Sequence, residues 1–416
     1  MSTLETKIKE KEAAKQILLD EFRLTLDLNE KGIFFNAEEL KAFSITDANV
    51  NGFSRNLGGL SFTLPHGIAT NGKFARWTPY SIVVENGKPI LYNDKKPLAE
   101  ISFPVQTTHP VNEQLLSTGE KVKNIVGINH HGGLTVGYST ECALKDLGED
   151  CLFCSINVRE RDPNRPLIKN PRQVAEAYHL ARQADQANHF RITGGFVPER
   201  RELEYYIDVA EAIRERYESF YGVAIIGAPA DLSILPKYKE AGFTNISHNI
   251  EVWDKNLFGL VCPGKSKRNG GWQHWVDSLE AAVDTFGRGN VHTNIVGGLE
   301  PKEITLEGIE YLASKGIVAH FSVFRPEKGT PFEGYRSPEA SFHWEIVDKA
   351  TDIFLRYGFN SLQMYSGPLS AEHSGRVFRI KNGEFEGDKL GVYKYPSLDK
   401  KQHQQTINLT REVYTN

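Results

Sequence analysis

Three cysteines carry the most specific chemistry in this sequence. Cys142, Cys151 and Cys154 stand in "CALKDLGEDCLFC" with the spacing C-x8-C-x2-C, and Cys262 is the fourth and last cysteine. A disulfide framework would spread its cysteines, and a reducing compartment leaves clustered thiols free for metal. Three thiolates on a four-iron cluster leave one iron without a protein ligand, where a substrate can bind directly. Such clusters reach potentials low enough for difficult one-electron reductions. Zinc is the competing reading, with Cys262 as fourth ligand. Structural zinc sites, however, show two closely spaced pairs, and Cys262 stands alone in "VCPGK".

The elements that position these thiols are legible as alternating patterns. Six short apolar runs read as strands: "LTVGYST" (134–140), "HFRITGG" (189–195), "GVAIIGAP" (222–229), "NISHNIEV" (245–252), "VHTNIVGG" (291–298) and "VAHFSVF" (318–324). Helical patterns lie between and after them, at 203–217, 278–287, 306–316 and 343–358. Alternation of this kind means parallel strands with crossover helices. The expected class is α/β, a partial (βα)6 TIM-like barrel over residues 126–360. In such barrels chemistry sits at the C-terminal strand ends, and the cysteines follow the first strand directly.

Two flanking regions complete the expected organisation. Residues 1–125 read as an N-terminal α+β accessory region. It opens on an exposed amphipathic helix and holds an Asn-Gly hairpin in "SIVVENGKPILYN" (81–93). The stretch 51–75, rich in Gly, Asn, Ser and Thr, reads as either a functional loop or merely irregular chain. Residues 361–416 read as a C-terminal extension, with a second Asn-Gly hairpin in "RVFRIKNGEFEGD" (376–388) and a tail or strap at the end.

The composition is that of an ordinary soluble globular protein, with 40% hydrophobic and 25% charged residues in 416. A net charge of −4 without a long basic run argues against nucleic acid or an anionic membrane as main partner. No apolar run is long enough to span a membrane and no signal core opens the chain, so a cytoplasmic location is expected. With one cysteine left after the trio, a second cluster held wholly by cysteines is excluded. No separate cobalamin-binding domain is visible. These features favour a single-cluster enzyme acting on a small molecule.

The cysteine segment resembles the radical S-adenosylmethionine (SAM) superfamily, whose commonest motif is C-x3-C-x-aromatic-C after the first barrel strand. Phe153 before Cys154 keeps the second half, while the first spacing is eight instead of three. Four later segments resemble the same enzymes. In "RITGG", Gly194 and Gly195 would let the backbone approach the SAM amino group, and Phe196 replaces the usual Glu. "SHNIEV" resembles the "NHNLDT" type of segment in biotin synthase and its relatives, which implies Asn249 for the methionyl end and Glu251 for the ribose hydroxyls. "NIVGGLE" implies Ile295 against adenine, with Thr293 replacing the usual first Gly and Glu300 as a structural support. "SVFRPEKGTPFEG" implies Val323 and Phe324 at adenine, with Arg325 in an ion pair or at the SAM carboxylate.

The resemblance covers about 135–335. It implies a 4Fe-4S cluster on Cys142, Cys151 and Cys154 and S-adenosyl-L-methionine as cofactors. It also implies a small-molecule substrate and an external electron donor such as flavodoxin or ferredoxin. The implied reaction is reductive cleavage of SAM to a 5′-deoxyadenosyl radical that removes hydrogen from the substrate. The alternative within the class is transfer of a 3-amino-3-carboxypropyl radical; outside it, a zinc-stabilised α/β binding protein. Four further positions are candidates for substrate contact or closure: the pair His130 and His131, the basic group Lys265, Lys267 and Arg268, and Tyr365 with Ser366. For the histidines a surface or core role is the safer expectation, for the basic group a solvated loop is an equal one, and Tyr365 and Ser366 are expected to close the barrel.

Overall fold

The computed structural model describes residues 3–45, 60–103, 110–128, 132–156, 166–197, 199–268 and 270–396. His130, His131, residues 51–59 and the C-terminal tail lie outside the described residues, whereas the rest of the stretch read as a loop, 60–75, carries a pair of antiparallel strands.

Helix α1 (Thr3–Lys31) opens the chain. Its first half is exposed as expected, but Leu18, Leu19, Phe22 and Leu26 are buried in the main core. Their spacing of one, three and four residues lays them on one helix face. Strand β1 (Phe34–Phe35) follows, then β2 (Leu60–Thr63) paired antiparallel with β3 (Ala69–Gly72). The hairpin β4 (Tyr80–Glu85) and β5 (Lys88–Asn93) turns at Asn86-Gly87, both in the left-handed region, as the Asn-Gly signal requires. With β6 (Lys96–Glu100) these form a four-stranded sheet in the order β1-β4-β5-β6. A second, smaller core of Leu28, Ile33, Phe62, Ile82 and Leu91 lies here.

The larger sheet has seven strands in the order β13-β12-β11-β10-β9-β8-β7. Edge strand β7 (Gly127–Ile128) is antiparallel to β8 (Gly133–Ser139). From β8 the order is sequential and parallel through β9 (His189–Gly194), β10 (Gly222–Ile226), β11 (Asn245–His248), β12 (Val291–Gly297) and β13 (Ile317–Val323). These are the six strands expected from the sequence, and the sheet curls as an open barrel. The crossovers are helices α2 (Pro171–Gln183), α3 (Glu199–Arg214), α4 (Leu235–Ala241), α5 (Lys255–Val261), α6 (Pro263–Lys267), α7 (Gly271–Phe286) and α8 (Lys302–Ser314). Helix α2 shows why they form. Asn170 caps it by accepting the Arg172 N–H, proline occupies its first turn, and Val174, Ala177, Tyr178 and Ala181 bury one face. Tyr178 meets Phe190 of β9 with ring centroids 5.9 Å apart.

After β13 come α9 (Ala340–Arg356), α10 (Ser361–Tyr365) and α11 (Ala371–Lys381). The hairpin expected at 376–388 is not formed; residues 376–381 continue α11. Val377, Phe378 and Ile380 are buried on that helix, and Asn382-Gly383 ends it, with Gly383 at φ 75°. The left-handed glycine that signals a hairpin serves here as a helix stop.

The extension closes the lower barrel. The guanidinium of Arg191 (β9), fully buried, donates to the carbonyls of Gly367 and Tyr365 and lies 3.5 Å from Glu372 of α11. Gly367 is packed so tightly on His320 that a Cβ would come within 2.4 Å of Nε2. Tyr365 thus takes part in closure, as the sequence suggested. No helix among the described residues is long and apolar enough to cross a membrane.

Candidate cluster and cofactor site

The cysteine loop begins where β8 ends. The Ser139 hydroxyl and Glu141 close a turn, and Cys142 follows at the head of a helical turn, Ala143–Asp146. The eight intervening residues fold back on themselves. Glu149 N–H donates to the Leu144 carbonyl at 2.8 Å, Gly148 turns at φ 67°, and Lys145 pairs with Asp150 at 3.0 Å. This return brings Cys151 back beside Cys142. The long spacing therefore adds a compact turn and preserves the convergence. Cys154 N–H donates to the Cys151 carbonyl, which curls the last two thiols to one side.

Burial pushes the Cys154 thiol up to about 12, and Cys151 and Cys142 both add to that shift, so the three sulfurs share one neighbourhood. Cys151 is also raised, first by its contact with the Cys262 thiol and then by burial. Among the described residues no three His, Cys, Asp or Glu side chains are gathered tightly enough for a single metal ion. In donor chemistry and placement, Cys142, Cys151 and Cys154 fit a 4Fe-4S cluster. Cys262 is fully buried and touches Cys151.

The glycines of β9 are explained by the same loop. A Cβ on Gly195 would lie 2.2 Å from the Glu141 carbonyl oxygen and 2.8 Å from the Cys142 Cβ; one on Gly194 would strike the Tyr138 ring. Phe196 N–H donates to the Cys142 sulfur, and the Phe196 carbonyl accepts from Ala143 N–H at 2.9 Å. Phe153 is half-buried against the main core. Its turn is held from two sides: Leu152 N–H donates to the Val261 carbonyl, and Phe332 N–H to that of Leu152.

Beyond β11 the chain bends sharply. Glu251 sits at φ 68°, a conformation uncommon for a residue with a side chain, bridged in backbone to Ile295. Its carboxylate receives Lys265 Nζ at 3.0 Å and Asn294 Nδ2 at 3.3 Å. Lys265 also donates to the Asn249 carbonyl at 2.7 Å, and the Ser247 hydroxyl donates to Asn249 Oδ1. Asn294 reaches Ser322 of β13 and accepts from Ser370 of the C-terminal segment. Glu251 and Asn249 thus lie in one polar network at the ends of β11, β12 and β13. Burial alone would depress the Lys265 ammonium, but Glu251 and the nearby Cys151 and Cys262 outweigh it and raise its pKa.

Lys265 is accordingly not part of a solvated basic loop. Lys267 and Arg268 both pair with Glu149, and the Arg268 guanidinium also lies over the Phe196 ring, 5.4 Å from its centroid. Lys265, Asn294, Ser322 and Ser370 were not singled out together by the sequence. The signal for Asn294 was available: strand alternation turns it to the opposite face from Ile295, which is fully buried in the core.

The remaining candidates divide. Glu300 accepts from Trp253 N–H, Asp254 N–H and the Thr305 hydroxyl, all at 3.0 Å or less, and burial raises its pKa despite these bonds. It ties the turn after β11 to that after β12. Thr293 spans the same strands, donating to the His248 carbonyl and accepting from Ile250 N–H. Val323 is half-buried, whereas Phe324 is buried edge-on to Phe332, its N–H on the Gly297 carbonyl. Arg325 donates to Asn29 Oδ1 on α1 and is held below its ordinary pKa by burial.

An open α/β barrel with three thiols after its first parallel strand defines an iron–sulfur enzyme of the barrel type. Residues 139–312 of the chain match the family described as the Radical SAM superfamily. The protein is a radical SAM enzyme whose cofactors are a 4Fe-4S cluster and SAM. It is 28% identical over 297 residues to the bacteriochlorophyllide c C-7(1)-hydroxylase of Chlorobaculum limnaeum, spanning 66% of this chain and 72% of that protein. Among solved structures it is similar to methylornithine synthase, at 18% identity over 57% of this chain and 71% of that one, TM-score 0.40. It is also similar to the FeFe-hydrogenase maturase HydG of Carboxydothermus hydrogenoformans, at 15% identity over 66% and 65% of the two chains, TM-score 0.42.

Proposed function

We propose that this enzyme removes a hydrogen atom from a carbon of a small-molecule substrate held in the barrel beneath the SAM site. The observation that carries this reading is the convergence of Cys142, Cys151 and Cys154 beside the Lys265–Glu251 network at the same strand ends. When bound, the reduced cluster and SAM supply the reductive cleavage of a carbon–sulfur bond.

The chain's own residues bind, orient and exclude. Cys142, Cys151 and Cys154 would hold the cluster. Glu251 would accept the ribose hydroxyls through its carboxylate, the same device used at dinucleotide ribose. Asn249 would serve the methionyl end. Gly194 lies close on Tyr138 and Gly195 on the cysteine loop, and the backbone they leave uncovered would approach the amino group of SAM. The C-terminal extension, pinned by Arg191, packs on His320 of the barrel through Gly367 and reaches the Asn294 side chain through Ser370, which would help to exclude water.

Radical SAM enzymes act on a substrate and require an electron donor. A flavodoxin or ferredoxin and a cytoplasmic setting fit this chain. The relative's name places its action at a carbon centre, which accords with chemistry that starts from a C–H bond. Three regions serve this reading: residues 1–125 and 361–416 as covers, and 126–360 as the catalytic barrel.

Product analysis tests the proposal. Reconstituted anaerobically and reduced with dithionite, the protein should convert SAM to 5′-deoxyadenosine and methionine. A substrate labelled with deuterium at the reacting carbon should pass the label into 5′-deoxyadenosine. Methylthioadenosine as dominant product would replace hydrogen abstraction by aminocarboxypropyl transfer.

A further inference from the structure

We propose that Lys265 is a positioning residue that holds the ribose-binding carboxylate in place and supplies a fixed positive charge beside the cluster. This rests on the reading of Glu251 and of the three cysteines given above.

The segment that carries Lys265 is fastened to the cysteine loop. Leu152 N–H donates to the Val261 carbonyl at 2.9 Å, which sets Cys262 opposite Cys151. Two residues on, Gly264 N–H donates to the Glu149 carbonyl at 2.9 Å, and a Cβ there would lie 2.4 Å from that oxygen. Only glycine allows this approach. Helix α6 therefore moves with the cysteine loop, and Lys265 projects from it toward β11.

Its ammonium has little freedom. It is held by the Asn249 carbonyl at 2.7 Å, Glu251 Oε1 at 3.0 Å and the face of the Trp275 ring at 4.6 Å. The side chains of Lys265 and Glu251 are only 15% and 13% exposed. A charge pair this sheltered is weakly screened, and removing one partner strands the other. Glu251 needs such an anchor, because its left-handed backbone is unfavourable and only surrounding contacts maintain it. Lys267 and Arg268 instead pair with Glu149, so within this segment Lys265 is the cation paired with Glu251.

The cluster and its thiolates are anionic, and reduction adds a further negative charge. A fixed cation nearby favours the reduced state, and a fixed anion opposes it. Lys265 and Glu251 should therefore act on the cluster potential with opposite signs, while both support SAM binding.

The test uses the full chain, reconstituted anaerobically, with iron content, midpoint potential by EPR-monitored titration and SAM affinity as readouts. Lys265→Met should retain iron, shift the potential to a more negative value and weaken SAM binding about tenfold or more. Lys265→Arg should restore part of both. Glu251→Gln should also weaken SAM binding but shift the potential the other way. The double variant, which leaves no stranded charge, should keep its iron, return the potential toward that of the wild type and bind SAM poorly. That variant carries the test if Lys265→Met alone loses iron. Unchanged potentials in the single variants, or shifts of the same sign, would overturn the role of Lys265. Wild-type SAM affinity in Glu251→Gln would instead overturn the reading of Glu251.

Discussion

The Phe196 N–H points at the Cys142 sulfur over 3.4 Å. One strand end thereby fixes the first cluster thiol through its backbone, without a side chain. The bond uses only the Phe196 peptide group and makes no demand on its side chain.

That relationship makes Gly195 a determinant of cluster assembly. Gly195→Ala would force its Cβ to 2.2 Å from the Glu141 carbonyl, so the strand end or the cysteine loop must shift. Both partners are backbone or near it, and neither yields by rotating a side chain. Iron per chain after anaerobic reconstitution should fall well below that of the wild type. Gly391→Ala, where a Cβ meets open space, should keep full iron. Equal iron in both would show that the loop is looser than its packing implies.

Arg325 gives a prediction about stability. Its guanidinium is joined to Asn29 on α1, which links the end of β13 to the N-terminal helix. A hydrogen bond to a charged group contributes about 1.5–3 kcal/mol, and Asn29→Ala should destabilise by that order. Asn29→Asp should recover the loss at neutral pH. SAM affinity should not change in either variant. A fall in affinity without a loss of stability would move Arg325 from support into the binding site.

Much of this architecture could be read from the sequence because the barrel strands are short apolar runs, each followed by a strong helical pattern. The Asn86-Gly87 hairpin formed as expected, whereas Asn382-Gly383 did not. Both dipeptides turn the chain through a left-handed glycine. What differs is the preceding run, where Val377, Phe378 and Ile380 follow a helix face rather than a strand alternation. The cysteine spacing was legible as a cluster motif, but not how eight residues return Cys151 to Cys142. That return depends on the Lys145–Asp150 pair and on Gly264, more than a hundred residues away. The inward turn of Lys265 has the same cause. Local sequence shows three basic residues in four positions, and only the tertiary docking of α6 selects one of them.

Buried histidines predict the acid response of the fold. His248 and His292 are fully buried, and burial lowers each from the ordinary 6.5 to about 3. A group with a depressed folded pKa contributes its stability in full above the unfolded value. That stability is lost as pH falls from about 6.5 toward 3. Each such group adds up to about 1.4 kcal/mol of slope per pH unit in that window. His248→Asn should therefore flatten the fall in unfolding free energy on acidification, whatever its effect at neutral pH. The Ser278 hydroxyl, 2.8 Å from His248 Nδ1, remains within reach of a shorter polar side chain. An unchanged slope would mean that His248 is already free to ionise in the native state.

Cys262 separates the cluster reading from a four-cysteine site. It is buried, touches Cys151 and lies across from it in the backbone pairing of residues 152 and 261. On sequence spacing alone it could be a fourth ligand. It touches Cys151, whereas Cys142 and Cys151 both lie near Cys154. A residue that supports Cys151 from behind should be dispensable for iron. Cys142→Ala, Cys151→Ala and Cys154→Ala should each lose the brown charge-transfer absorbance and the ability to cleave SAM. Cys262→Ala should keep about four irons per chain, the content of one cubane cluster, and lose on the order of 1 kcal/mol through the small cavity it leaves. The two effects are read separately, iron by chemical assay and stability by denaturation of the reconstituted protein. If Cys262→Ala bleaches the protein while its fold survives, four thiols hold the metal. The open iron on which SAM chemistry depends would then be absent from this chain.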